Sequence, residues 1–169
     1  MPESKALQVA LVGLEGISEA FTDPDDDFAA IVIVESKQGE LAVIPAYEYL
    51  ANDEMKYLFF DRIMPDLIRK TEIHRVVMVL SAWALEAGRD YFENDEPPPR
   101  DHPDRFEIVS VIEMTGAGIE SDRYAYINRD PLGREVPTLG EFHFYPKDAT
   151  RSGAAITPIL EALKEVTES

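Results

Sequence analysis

Three stretches of this chain are apolar at both alternating sets of positions, and this pattern constrains the fold more than any other feature. In a β-strand, successive side chains point to opposite sides of the sheet. In "RVVMVLSAW" (75–83), Val76 and Met78 alternate with Val77 and Val79, so both sides of that strand require burial. The stretches "FAAIVIVES" (28–36) and "RFEIVSVIEM" (105–114) repeat the pattern. The sequence therefore predicts a sheet that needs cover on both faces.

Helical periodicity places three helices around these strands. The first carries apolar residues from Leu7 to Phe21, the second is "EMKYLFFDRIM" (54–64), and the third carries apolar residues from Ile156 to Leu163. Pro65 must kink the second helix or start a short new one. Because short turns join neighbouring strands, the pairing is antiparallel. The predicted fold is one α+β domain over residues 1–169. It has about six mainly antiparallel strands, three helices and the order α-β-β-α-β-β-β-β-α.

The chain is strongly acidic, with 33 aspartates and glutamates against 16 lysines and arginines and a formal net charge of −17. A surface of this sign repels the phosphates of nucleic acids and of anionic membranes. We therefore predict that the protein binds neither DNA nor RNA and does not bind membranes. A basic protein partner, mimicry of nucleic-acid charge and adaptation to high salt are three readings of the acidity, beside plain solubility.

The absence of cysteine excludes disulfides, thiolate metal sites and cysteine nucleophiles. The start "MPESKALQ" has neither a basic region nor a long apolar run, so no signal peptide is predicted. No stretch approaches the roughly 20 apolar residues that span a bilayer. These observations predict a cytoplasmic protein, and no motif predicts a metal or another cofactor.

Two groups of residues are the candidates for chemistry. Asp101, His102 and Asp104 form the densest cluster of potential metal ligands or general bases. Glu141 and His143 are two apart on a predicted strand, "TLGEFHFY" (138–145), and would therefore share a face. Polar residues on a half-exposed strand and carboxylates in a surface loop explain both groups without any chemistry. The G-x-S-x-G and HExxH signatures are absent from the sequence.

The central part of the chain resembles a group of uncharacterised bacterial and phage proteins. The likeness lies in a strand with Trp83, a proline- and acid-rich gap, and a "P-x-R-x-E" entry to the next strand formed by Pro103, Arg105 and Glu107. A polar hairpin, "RYAYINRDPLGREVPTLGEF" (123–142), follows. The resemblance covers about 65 residues by pattern and implies no known activity.

Three functions compete on this sequence. The first is a non-enzymatic interaction or accessory protein, which the acidic surface and the missing catalytic motifs favour. The second is a small hydrolase that uses residues 101–104 or Glu141 and His143. The third is an acidic mimic of nucleic acid that binds a basic protein. A homodimer or another protein partner is also predicted to cover a sheet face that the helices leave open. Aromatic residues are enriched in such interfaces. Its expected interface residues are Tyr124, Tyr126, Phe142 and Phe144.

Overall fold

A computed structural model describes residues 3–84, 105–145 and 156–169. In these ranges the strands form one antiparallel sheet in the order β2-β1-β3-β4-β5-β6, and the short β7 pairs with β5. The strands are β1 (Ile31–Ser36), β2 (Leu41–Pro45), β3 (Ile73–Ala84), β4 (Phe106–Thr115), β5 (Gly118–Asn128), β6 (Thr138–Leu139) and β7 (His143–Phe144). The helices are α1 (Lys5–Glu19), α2 (Asp53–Leu58), α3 (Met64–Thr71) and α4 (Thr157–Glu168). A 3-10 turn (Tyr47–Leu50) precedes α2, and a π-helical turn (Phe59–Ile63) joins α2 to α3.

The predicted α+β class and element order are confirmed, with α2, the π turn and α3 together forming the second helical segment. The single strand predicted over 138–145 is two short strands instead. β6 pairs with Ile127 and Asn128, whereas β7 pairs with Arg123 and Tyr124. The Gly140 N–H donates to the carbonyl of Tyr126 between them, so the chain leaves one register and enters another.

Helices pack on both faces of the sheet, as the doubly apolar strands require, and part of one face stays open. The α1 face carries Ile33, Val77, Val79, Val109 and Val111, which pack against α1. The opposite side, here called the α4 face, packs against α3, α4 and the π turn. Its sheet residues are Val32, Val34, Val76, Met78, Ile112 and Met114. The helices therefore divide between the two faces because neither face can stay in water. Within the described ranges, no helix has the length and apolar content that crossing a membrane demands.

The π turn explains how Pro65 fits inside the second helical segment. Proline has no N–H, and in an α-helix its ring meets the carbonyl four residues earlier. Here the Met64 N–H donates to the Phe59 carbonyl, five residues back, which widens the backbone just before the proline. The extra residue in this turn buries both Phe59 and Phe60. Their rings meet edge to face at 5.4 Å, and Tyr49 stacks on Phe59 at 5.3 Å.

A buried carboxylate lies where α1 begins on the α1 face. Ser4 caps α1 by accepting the Leu7 N–H at 3.1 Å, and its hydroxyl donates to Glu113 of β4. Arg75 of β3 donates from Nη1 to Oε2 of Glu113 at 2.7 Å. Glu113 is 6% exposed, so its carboxylate oxygens are satisfied by these partners rather than by water.

Candidate functional site

An open cavity of about 760 Å³ lies on the α4 face, next to the part of this face that the helices cover. Leu80 and Ala82 of β3 and Ile108, Ser110 and Ile112 of β4 form its floor. Strand register places Leu80 opposite Ser110 and Ala82 opposite Ile108, so the floor is a regular patch of two paired strands. Ligand sites commonly occupy about 300–1,000 Å³, so this cavity has the size of a binding site.

The walls come from segments that are far apart in the chain. The segment leading into β1, the 3-10 turn, α2, the π turn and the residue after β7 all contribute. Side chains on regular elements keep their positions better than side chains on long loops. The remaining lining residues are Asp27, Phe28, Ala29, Ala30, Tyr47, Leu50, Lys56, Phe60, Ser81 and Tyr145.

Charged side chains and serines are a minority among the described lining residues of this cavity. Ser110 is buried in the floor, Ser81 and Lys56 are exposed at its boundary, and Asp27 lies on its edge. None of the described lining residues is a histidine, so these residues contain no serine–histidine or carboxylate–histidine pair. The described lining is mainly apolar and aromatic, a composition that is common in ligand pockets.

Arg129 fixes the acidic edge of the cavity. Its Nε and Nη2 donate to the two carboxylate oxygens of Glu107 at 2.6 and 3.1 Å, a bidentate pair. Nη1 donates to the carbonyl of Asp26 at 2.9 Å, and Nη2 donates to Oδ1 of Asp27 at 3.1 Å. The arginine thus ties β4 to the loop that leads into Phe28.

Residues 22–27 also hold their own shape by hydrogen bonds. The Asp26 carboxylate accepts the N–H groups of Thr22 and Asp23 at 2.8 and 2.9 Å. These backbone hydrogen bonds, with that of Thr22 first, lower the pKa of Asp26. Asp23 in turn accepts the Asp25 N–H at 2.8 Å. The acidic edge is therefore preorganised before any ligand arrives.

An aromatic cluster adjoins the cavity at Tyr145. The Tyr145 ring lies 4.8 Å from that of Tyr124, which stacks on His143 at 5.3 Å. Tyr126 meets Tyr124 at 5.8 Å and Phe106 at 5.1 Å, both edge to face. Burial, and then the neighbouring Tyr126, raise the pKa of the Tyr124 phenol.

This raised pKa predicts a late step in an alkaline titration of the tyrosines. The Tyr124 phenol should ionise above its ordinary value of 10.0 in the folded protein. Since the unfolded chain releases this proton first, the contribution of Tyr124 to stability is present below pH 10 and is lost as pH rises further. Absorbance near 295 nm measures the ionisation. The Tyr124→Phe variant should lose the late step, and unfolding in guanidinium should abolish it in the parent protein. A late step that survives Tyr124→Phe would assign it to another group.

Two of the candidates for chemistry, Glu141 and His143, are not among the described lining residues of the cavity. Glu141 and His143 are both exposed, and in the described ranges no hydrogen bond joins their side chains. His143 stacks on Tyr124 instead. The other three candidates, Asp101, His102 and Asp104, lie outside the described residues. Residues 3–84, 105–145 and 156–169 contain no group of three or more histidines and carboxylates arranged to hold a metal ion.

The four aromatic residues expected at an interface do not share one face. Tyr124 and Tyr126 stand opposite Ser110 and Ile108 in the β4–β5 register, on the α4 face. Phe142 packs against the core of the α1 face, and Phe144 lies under the Arg123 guanidinium at 4.6 Å. Phe144 is 64% exposed. The homodimer stays a prediction, and any interface would use these residues as two separate pairs.

The sequence contains a signal for the cavity that motif searching missed. Ala30, Ala82 and Ser110 are small residues inside or beside otherwise bulky strands. β1, β3 and β4 are neighbours in the sheet, so the three positions lie in one region of the cavity lining. A run of small residues across adjacent strands leaves a volume that larger side chains would fill.

Comparison of the chain with protein-family models, with curated proteins and with solved structures found no match.

Proposed function

We propose that this chain is a non-enzymatic interaction protein and that the cavity on its α4 face receives an apolar group of its binding partner. The observation that carries this proposal is the cavity itself, which has the volume of a ligand site and is lined mainly by apolar and aromatic side chains. Sites of this kind usually combine such a lining with a small number of polar groups that orient the ligand. Lys56, Ser81 and Ser110 supply those groups here.

The chemistry of the lining favours binding over catalysis. General acid–base catalysis needs a titratable group within hydrogen-bond reach of the reacting atoms and a second group to orient it. Asp27 is the carboxylate of the lining, and its Oδ1 already accepts from Arg129 and from the Phe28 N–H. A hydrolase that uses Asp101, His102 and Asp104 remains the alternative. It predicts turnover that the triple alanine variant would lose.

The proposal can be tested with indole, a small uncharged aromatic molecule. NMR spectra recorded with and without indole show which backbone amide signals shift. Shifts are expected at 80–82, at 108–112 and at Tyr145, because these residues line the cavity. The Ala82→Trp variant should abolish them, since Ala82 is an exposed floor residue and a large ring there fills the space. Ala42→Trp is the matched control, because Ala42 is also an exposed strand residue but does not line the cavity.

Two results would overturn the binding proposal. One is the absence of saturable shifts in the parent protein at millimolar indole. The other is a response that Ala82→Trp and Ala42→Trp weaken equally. A large loss of stability in the Ala82→Trp variant would confuse the comparison, so both variants are first checked by thermal unfolding. If Ala82→Trp unfolds early, Ala29→Trp takes its place, since Ala29 is also exposed and lines the cavity.

A further inference from the structure

We infer that the occupant of the cavity is a basic polypeptide segment that inserts one apolar side chain and sets lysines or arginines against the acidic rim. This inference rests on the proposed binding function and names the partner class. The rim is defined here as Asp27, Glu48, Asp53 and Glu54. Asp27 lines the cavity, and the other three belong to the 3-10 turn and α2, which contribute Tyr47, Leu50 and Lys56 to its walls.

The distribution of charge around the cavity favours a cationic partner. Glu48 follows the lining residue Tyr47, and its side chain is exposed. Asp53 and Glu54 occupy the first turn of α2, which also provides Lys56. Lys56 is the one basic side chain among the described lining residues. The rim is therefore net negative, on a chain whose formal net charge is −17. Opposite charge on a partner speeds its encounter with the cavity and aligns it there.

Exposed apolar side chains also occur at and next to lining residues in the chain, and this favours a polypeptide over a small free ligand. Tyr47 lines the cavity but is 60% exposed. Tyr57 and Leu58 directly follow Lys56 on α2 and are 67% and 42% exposed. Exposed tyrosines around an apolar pocket are typical of protein interfaces, where one anchor residue enters the pocket and its neighbours cover the surroundings. A ligand confined to the cavity would leave Tyr57 and Leu58 in water.

Hydrogen bonds hold the backbone that carries the charged residues of the rim. Asp27 lies on the segment 22–27, and Asp53 and Glu54 lie on α2. Arg129 and the internal hydrogen bonds of residues 22–27 fix Asp27. Asn52 caps α2 by accepting the Met55 N–H at 2.8 Å, which fixes the turn that carries Asp53 and Glu54. A preorganised surface loses little conformational entropy on binding. Such a surface suits a flexible partner segment, because the segment already loses conformational entropy when it becomes ordered on binding.

Three unlabelled synthetic peptides test this inference by amide shift titration at about 0.1 M salt, where charges farther apart than about 10 Å are largely screened. The first has one phenylalanine with two lysines on each side. The second has alanine in place of phenylalanine, and the third has glutamates in place of the lysines. The first peptide should shift the amides at 80–82 and 108–112. The other two should bind at least about tenfold more weakly, since a central anchor and its charge partners carry most of the affinity.

A pair of double variants separates the rim from the overall charge. Glu48→Gln with Glu54→Gln should raise the Kd of the phenylalanine–lysine peptide about three- to tenfold, the range that two exposed ion pairs give. Glu15→Gln with Glu19→Gln makes the same change in net charge on exposed positions of α1, on the other face of the sheet. This control should change the Kd less than twofold.

The outcomes distinguish this inference from the function on which it rests. If indole does not bind in the cavity, the proposed function fails and the inference fails with it. If indole binds but the glutamate peptide binds as tightly as the lysine peptide, only the inference is overturned. The same holds if the rim variant changes the Kd no more than the α1 control does. Indole binding without binding of any peptide would also overturn the inference and assign the cavity to a small apolar ligand.

Discussion

Replacing Glu113 with alanine is expected to lower the free energy of unfolding by about 3–5 kcal/mol, the usual cost of removing one partner from a buried ion pair. Glu113 accepts from Arg75 at 2.7 Å and from the Ser4 hydroxyl that caps α1. Its removal leaves the Arg75 guanidinium beside the apolar core without its closest carboxylate. The Nε of Arg75 is itself buried, and Oε1 of Glu35 lies 4.0 Å from it. Chemical denaturation of the variant and the parent measures the loss.

Two further variants identify the cause of this loss. Glu40→Ala removes an exposed carboxylate from the β1–β2 turn and should change stability by less than about 0.5 kcal/mol. The double variant Arg75→Met with Glu113→Leu should be more stable than Glu113→Leu alone, because it removes the uncompensated charge as well. A double variant that is less stable than the single one would show that the guanidinium is not the source of the cost.

Phe59→Ala is expected to destabilise the protein by a similar amount, about 3–5 kcal/mol, through loss of packing rather than charge. Phe59 is fully buried at the start of the π turn, where it stacks on Tyr49 and meets Phe60 edge to face. Alanine leaves a void that the widened turn cannot close, because Pro65 and the helix-to-sheet contacts hold the flanking backbone. Thermal and denaturant unfolding both report this loss.

Tyr57→Ala provides the matched control for the aromatic truncation. It removes an aromatic ring two residues earlier in the same helical segment, where the ring is mostly exposed. Its effect on stability should stay within about 0.5 kcal/mol. A loss of less than about 1 kcal/mol for Phe59→Ala would contradict the packing described here. The Phe59→Ala variant is also expected to bind indole more weakly, since the adjacent Phe60 forms part of the cavity wall.

Part of the candidate site follows from local sequence and part does not. Asn52 caps α2, and an asparagine just before a helical pattern is a local signal that the sequence carries. The small residues Ala30, Ala82 and Ser110 are visible in the sequence, but nothing local shows that they share a region of the sheet. Lys56 and Tyr145 complete the lining from positions 89 residues apart in the chain. Long-range proximity of this kind has no periodicity and therefore leaves no signal in one sequence.

The sequence by itself determined the class of fold, the order of helices and strands, and the need to cover both faces of the sheet. These properties depend on alternation and helical spacing, which are local and survive in the linear pattern. Only the tertiary structure decided that, among the described helices, α1 covers one face and α3 and α4 cover the other. The same holds for the separation of Tyr124 and Tyr126 from Phe142 and Phe144, and for the open part of the α4 face. Those outcomes depend on the strand register and helix packing that together bury the most apolar surface. They are therefore set by contacts over the whole chain and not by any local segment.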